Sequence, residues 1–189
     1  MNLPNLITLA RILLIPFFVL AYVTPGRASY WIAALLFSLA AFTDWLDGYL
    51  ARRLNQTTPF GAFLDPVADK LIVVTALVLL VGHHHSIWLT LPAVVIVGRE
   101  IVISALREWM AEMNRRGIVG VAWLGRVKTT FQMVALVVLL AFPPQPVSAF
   151  VQLGYGLLYL AAIMTLWSMV LYLRAAWPSL RGGLLPDRS

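Results

Sequence analysis

The chain has 189 residues, of which 61% are hydrophobic and 12% charged, with a mean hydropathy of +0.86. Soluble domains carry about 25% charged residues, so this balance excludes an ordinary soluble domain and implies a membrane protein. The net charge of +6 sits at the ends of apolar stretches rather than in a basic stripe interleaved with aromatics, which argues against nucleic acid as a partner, and the absence of cysteine excludes disulfides and thiolate metal sites.

Crossing the hydrocarbon core takes about 20 helical residues. Six stretches are predicted to do so: 6–23, 31–50, 63–82, 87–106, 129–142 (extending back towards 124) and 150–173. The first lacks a basic leader and a small-x-small cleavage site, so it is expected to stay as a helix rather than be removed. Turn chemistry separates the spans at Thr24-Pro25-Gly26, Thr58-Pro59, Gly82 to Ser86, Asn114 to Gly117 and Pro143 to Pro146. Of fourteen basic residues, only Arg27 falls in the loops 24–30, 83–86 and 143–149. By the positive-inside bias those loops face outwards and both termini are cytoplasmic. The expected fold is all-α, a polytopic membrane protein of six transmembrane helices, with one domain over 1–177 and a cytoplasmic tail over 178–189.

The second and third spans hold Asp44, Asp47, Asp65 and Asp69, half of the eight acidic residues in the chain. On a helix, Asp44, Asp47, Gly48 and Ala51 share a face about 100° wide, and Gly61, Asp65 and Asp69 one about 80° wide. Both faces lie near the same cytoplasmic ends, so they are expected to converge on one cavity open to that side. Four ionised carboxylates repel one another in a low dielectric and need cations. All-oxygen ligation selects a hard ion, Mg²⁺ or Mn²⁺, in one or two copies, with phosphate oxygens completing the shell. Solvated loop charges are the plainer reading, and it suits Asp65 and Asp69 better than Asp44 and Asp47, which apolar residues surround.

The spacing D-x2-D-G-x2-A-R-x8-G-x3-D-x3-D, read at Asp44, Asp47, Gly48, Ala51, Arg52, Gly61, Asp65 and Asp69, resembles the signature of the CDP-alcohol phosphotransferase family at each fixed position. The resemblance implies a six-helix membrane enzyme, a homodimer, that moves a phosphatidyl or similar group from a CDP-linked donor to an alcohol and releases CMP. It also implies that Asp44, Asp47, Asp65 and Asp69 hold two divalent ions and that Asp69 takes the proton of the attacking hydroxyl. Asp47, Gly48, Ala51, Arg52 and Gly61, with Thr8 from the first span, would line the CDP-diacylglycerol pocket.

Basic residues at membrane depth mark the acceptor. Arg99 and Arg107 stand about 80° apart on the fourth span, Arg126, Lys128 and Thr129 open the fifth, and Arg11 follows Thr8 by one turn. Converging guanidinium and ammonium groups suit a phosphate, so the acceptor is expected to carry one. The stretches "NLPNLITLARILLIPFF", "GREIVISALREWMAEM" and "GRVKTTFQM" resemble bacterial members of the family whose acceptor is sn-glycerol 3-phosphate. That likeness implies that Arg11, Arg99, Arg107, Arg126, Lys128 and Thr129 hold the acceptor's phosphate and that the enzyme sits among the lipids of the bacterial inner membrane. Inositol phosphate is the alternative acceptor.

Other features read more plainly. Arg115, Arg116 and Arg174 fit the positive-inside bias, and Glu108 and Glu112 with Arg115 and Arg116 read as pairing along a helix surface. His83-His84-His85 is expected to be a solvated loop. An ion transporter needs acids reachable from both sides, and no acid lies near the outer ends of the spans. A purely structural protein has no use for four clustered acids.

Overall fold

The computed structural model describes residues 3–54, 59–112, 122–145 and 148–183; the side chains of 47–54, 122–126 and 178–183 and of a few other residues lie outside that description. The described residues form six helices and no strand: α1 (Leu3–Val23), α2 (Arg27–Leu54), α3 (Pro59–His84), α4 (Ile87–Glu112), α5 (Ala122–Ala141) and α6 (Ala149–Gly183). Two tight turns, at 24–26 and 85–86, make α1 and α2, and then α3 and α4, sequence-adjacent pairs. Thr24 ends α1 by donating its hydroxyl to the Leu20 carbonyl at 2.6 Å. Gly26 then turns the chain at φ +144°, a conformation open to a residue without Cβ.

Helix α1 packs against α2 and α3, α5 against α6 and α2, and α4 against α6 and α3. The shared core is built from Phe18, Phe37, Leu77, Leu89, Leu136 and Leu158 among others, each fully buried. A second, smaller cluster ties α4 to α6 through Leu106, Met110 and Ala176. Outward, Leu13, Phe17, Leu35, Val94, Ile163 and Trp167 are exposed. Water would penalise such a surface, whereas acyl chains would not. Among the described residues three helices, over Asn5–Val23, Ile87–Met110 and Ala149–Trp177, are long and apolar enough to cross a bilayer.

Every predicted span lies within a helix or overruns its end by one residue, but the helices outlast most of the spans. Helix α2 continues past 50 to Leu54, α4 past 106 to Glu112, and α6 past Trp177, where a tail was expected, to Gly183. Hydropathy measures the depth of the hydrocarbon, and a helix satisfies its own backbone hydrogen bonds just as well beyond it.

The histidines correct the expectation of a solvated loop. His83 and His84 form the last turn of α3, and only His85 leaves the helix. The His83 Nε2 is hydrogen-bonded to the Tyr30 hydroxyl at 2.8 Å, and the Tyr22 ring meets the His83 ring edge-on at 5.3 Å. His84 Nδ1 bonds the Tyr155 hydroxyl at 3.1 Å. Tyrosines on three other helices supply the partners that loop water was expected to supply.

Candidate active site

Thr8 and Arg11 stand three residues apart on α1 and therefore point the same way. Pro4 and Pro16 flank them, and the turn between is free of proline, so the helix presents both side chains to the neighbours it packs on. The Thr8 hydroxyl, fully buried, donates to Asp65 Oδ1 on α3 at 2.7 Å. Arg11 Nη1 donates to Asp44 Oδ1 on α2 at 2.5 Å. The arginine is 1% exposed, while the Asp44 side chain is 41% exposed. Asp44 is thus held from behind and open in front. Asp69 follows Asp65 by one turn of α3, and the charges of Asp44, Arg11, Glu100 and Lys70 all lie close enough to act on it.

The structure therefore gathers three of the four aspartates, with two residues of α1 that the sequence assigned to ligands and that here hold carboxylates. Arg11 in particular joins the acids instead of the cations of α4 and α5. Among the described residues no three acids form a closed metal-binding group. The donor chemistry, carboxylate oxygens on adjoining helices with one face of Asp44 open, still suits a hard divalent ion. Gly61 is buried beside them. The side chains of Asp47, Gly48, Ala51 and Arg52 lie outside the described residues, although their backbone continues α2.

The cations form the other half. Lys128 on α5 and Arg99 on α4 are nearly buried, and both reach one carboxylate: Glu100 Oε1 lies 2.5 Å from Arg99 Nη1 and 3.8 Å from Lys128 Nζ. Arg107 is close enough for its charge to act on Lys128, but it is exposed and its guanidinium lies over the Tyr172 ring at 5.8 Å. Thr129 is also exposed, one residue on from Lys128. Arg126 has its side chain outside the described residues. Of the expected cation group, Arg99 and Lys128 are thus drawn to one carboxylate between α4 and α5, with Arg107 at their margin.

Sequence reasoning missed Glu100, Lys70 and Ser104. Lys70 Nζ donates to Ser104 Oγ at 2.5 Å, and Ser104 donates to the Glu100 carbonyl at 2.6 Å, which links α3 to α4 beside Asp69. Glu100 had a legible signal, since an acid at membrane depth marks function by default. Lys70 and Ser104 had none, because their pairing spans 34 residues of chain.

A cavity of about 60 Å³ joins the two halves between α3, α4 and α5, with Asp69, Lys70, Glu100, Thr129 and Gln132 as its polar lining and Ile96 and Met133 among its apolar walls. It sets the Asp69 carboxylate in one lining with Glu100, the acid on which Arg99 and Lys128 converge. A hydroxyl compound bearing a phosphate meets both needs of such a site, a base at one end and positive charge at the other.

A family model described as CDP-alcohol phosphatidyltransferase matches residues 1–171. Among similar proteins, one of Pseudomonas fluorescens is 62% identical over 183 residues, which is 96% of this chain and 93% of the relative. Relatives in Shigella flexneri serotype 5b and in Escherichia coli strain K12 are each 57% identical over 93% of this chain and 94% of their own length. All three bear the name CDP-diacylglycerol–glycerol-3-phosphate 3-phosphatidyltransferase.

Proposed function

The chain belongs to the CDP-alcohol phosphatidyltransferase family, and from that premise we propose that it transfers the phosphatidyl group of CDP-diacylglycerol to sn-glycerol 3-phosphate, giving phosphatidylglycerophosphate and CMP. The names of relatives 57–62% identical over nearly the whole chain support this acceptor over inositol phosphate. The observation that carries the reading is the cavity lined by Asp69 and by Glu100, the carboxylate that Arg99 and Lys128 both reach.

In this reading the phosphate of the acceptor is bound by Lys128, Arg99 and Thr129, with Arg107 and Arg126 at the mouth. One acceptor hydroxyl points to Asp69. Its proton passes to the Asp69 carboxylate as its oxygen bonds the phosphatidyl phosphorus, and the phosphorus–oxygen bond to CMP breaks. Asp44, Asp47 and Asp65, with Asp69, would hold a divalent ion, Mg²⁺ or Mn²⁺, and two ions would fit the number of carboxylates. Such an ion would neutralise the diphosphate of the donor and make its phosphorus easier to attack. Arg11 and Thr8 act through the acids they bond, holding Asp44 and Asp65 in place. Gly48, Ala51, Arg52 and Gly61, where side chains are small or basic, line the cytidine diphosphate pocket.

The exposed apolar surface and the lysine and arginine bias support six membrane-spanning helices in the bacterial inner membrane, with both termini and the cavity on the cytoplasmic side. Residues 1–177 then form the membrane domain and 178–189 extend into the cytoplasm, and the working form is a homodimer. The test supplies purified protein with labelled CDP-diacylglycerol, Mg²⁺ and one acceptor at a time. CMP release is expected with sn-glycerol 3-phosphate; release with inositol phosphate or serine alone would overturn the assignment.

A further inference from the structure

Gln132 lies on α5 one turn beyond Lys128, on the same face, and only 6% of it is exposed. Its amide lines the cavity that Asp69 also lines. Two of the charged groups in that lining are already engaged, Lys70 with Ser104, and Glu100 with Arg99 and Lys128. Gln132 stands in the same lining as a neutral group with both donor and acceptor capacity. A ligand that fills the cavity and dries this carboxamide has to offer it a hydrogen bond, because a buried amide left without a partner is costly.

The dimensions indicate what that ligand offers. Lys128 and Gln132 are separated by about 6 Å of helix rise, similar to the reach from the phosphate of a three-carbon phosphate ester to its far hydroxyls. The cavity of about 60 Å³ has room for roughly four to six water-sized groups at about 10–15 Å³ each. The hydroxyl-bearing end of glycerol 3-phosphate, two carbons and two oxygens, is small enough to enter it. One oxygen is the nucleophile that Asp69 must reach. The other, on the middle carbon, is both donor and acceptor, and a carboxamide is the neutral side chain that matches both roles at once.

We propose that Gln132 is a specificity-determining residue that hydrogen-bonds the middle, unreacting hydroxyl of the acceptor, and so orients the terminal hydroxyl toward Asp69. This rests on the acceptor assigned above. It gives the enzyme a means of rejecting phosphate esters that carry a reactive terminal hydroxyl but no neighbour to it. A site built to hydrogen-bond a hydroxyl discriminates strongly against the analogue without one, because its own polar group is then left buried and unpaired.

The experiment compares sn-glycerol 3-phosphate with 3-hydroxypropyl phosphate, which has the reactive hydroxyl and the phosphate but lacks the middle hydroxyl. CMP release from full-length protein in detergent micelles is followed with each. The wild-type protein is expected to favour glycerol 3-phosphate in kcat/KM by tenfold or more on the scale of about tenfold per lost hydrogen bond. Gln132→Met, of similar volume, is expected to lose about tenfold on glycerol 3-phosphate and almost nothing on the deoxy acceptor, with KM for CDP-diacylglycerol unchanged. Turnover of the deoxy acceptor doubles as a check that the variant has folded. Should the methionine variant fail to fold, Gln132→Asn keeps the amide but withdraws it by one methylene, and the same selective loss is expected. An equal loss on both acceptors, or a wild type that does not distinguish them, overturns the proposal. A wild type that turns over neither, yet releases CMP with another alcohol, overturns the acceptor assignment first and this inference with it.

Discussion

Thr8 and Arg11 are neighbours on one face of α1, yet each ends on an acid of a different helix, Asp65 at 2.7 Å and Asp44 at 2.5 Å. The acids themselves were legible in the sequence, because four carboxylates in an apolar chain have few bland explanations. Their holders were not, since a threonine hydroxyl and its acceptor 57 residues away leave no local pattern. The distinction between ligand-binding and positioning roles is testable. Thr8→Val, of the same shape, is expected to lower kcat about tenfold to a hundredfold through a misplaced Asp65, with KM for the acceptor unchanged and Thr8→Ser restoring the rate. In the proposed reaction Asp69→Asn removes the proton acceptor itself, and a loss of about a hundred- to ten-thousand-fold in kcat is expected, with circular dichroism showing the helices intact. Near-normal turnover by that variant would take Asp69 out of the reaction.

The helices were legible from hydropathy, whereas their ends and crossings were set by particular contacts. At the crossing of α5 and α6, a Cβ on Gly154 would meet Leu139 Cγ at 2.7 Å and Cδ2 at 2.8 Å, and Leu139 is fully buried with little room to withdraw. Gly154→Ala is therefore expected to push the two helices apart at a cost of about 1–3 kcal/mol, read as a lower midpoint of thermal unfolding in detergent. At the end of α3, His85 adopts φ 47°, and its amide donates to the Val81 carbonyl at 3.3 Å. This is the left-handed stop that glycine usually provides. His85→Gly is expected to raise stability by roughly 0.5–1 kcal/mol by relieving that conformation, while a β-branched residue there lowers it. The run of three histidines reads as polar in a hydropathy profile, which knows nothing of Tyr30 and Tyr155 on other helices, and so the loop was expected to begin two residues too early.

Across the whole molecule the two chemical halves come from different parts of the chain: carboxylates from α2 and α3, cations from α4 and α5, with the cavity where α3, α4 and α5 meet. A divalent ion placed among the carboxylates makes the reaction dependent on it, so a chelator is expected to stop CMP release and added Mg²⁺ to restore it. Chelation without loss of activity would remove the ion from the reading. The division between halves was visible in the order of acids and bases along the chain; the bridge of Glu100, Lys70 and Ser104 was not, because it is made by side chains meeting between helices. The contacts of α1 also bear on how the protein is made. This helix leaves the ribosome first, yet the acids it must hold follow it by 33 and 57 residues. In the proposed membrane setting the guanidinium of Arg11 enters the lipid before Asp44 has joined it there, and the centre can mature only when the third segment, with Asp65, has been handed over by the insertion machinery. A nascent chain halted before that point would hold its first segment loosely, near the translocon exit rather than at its final depth.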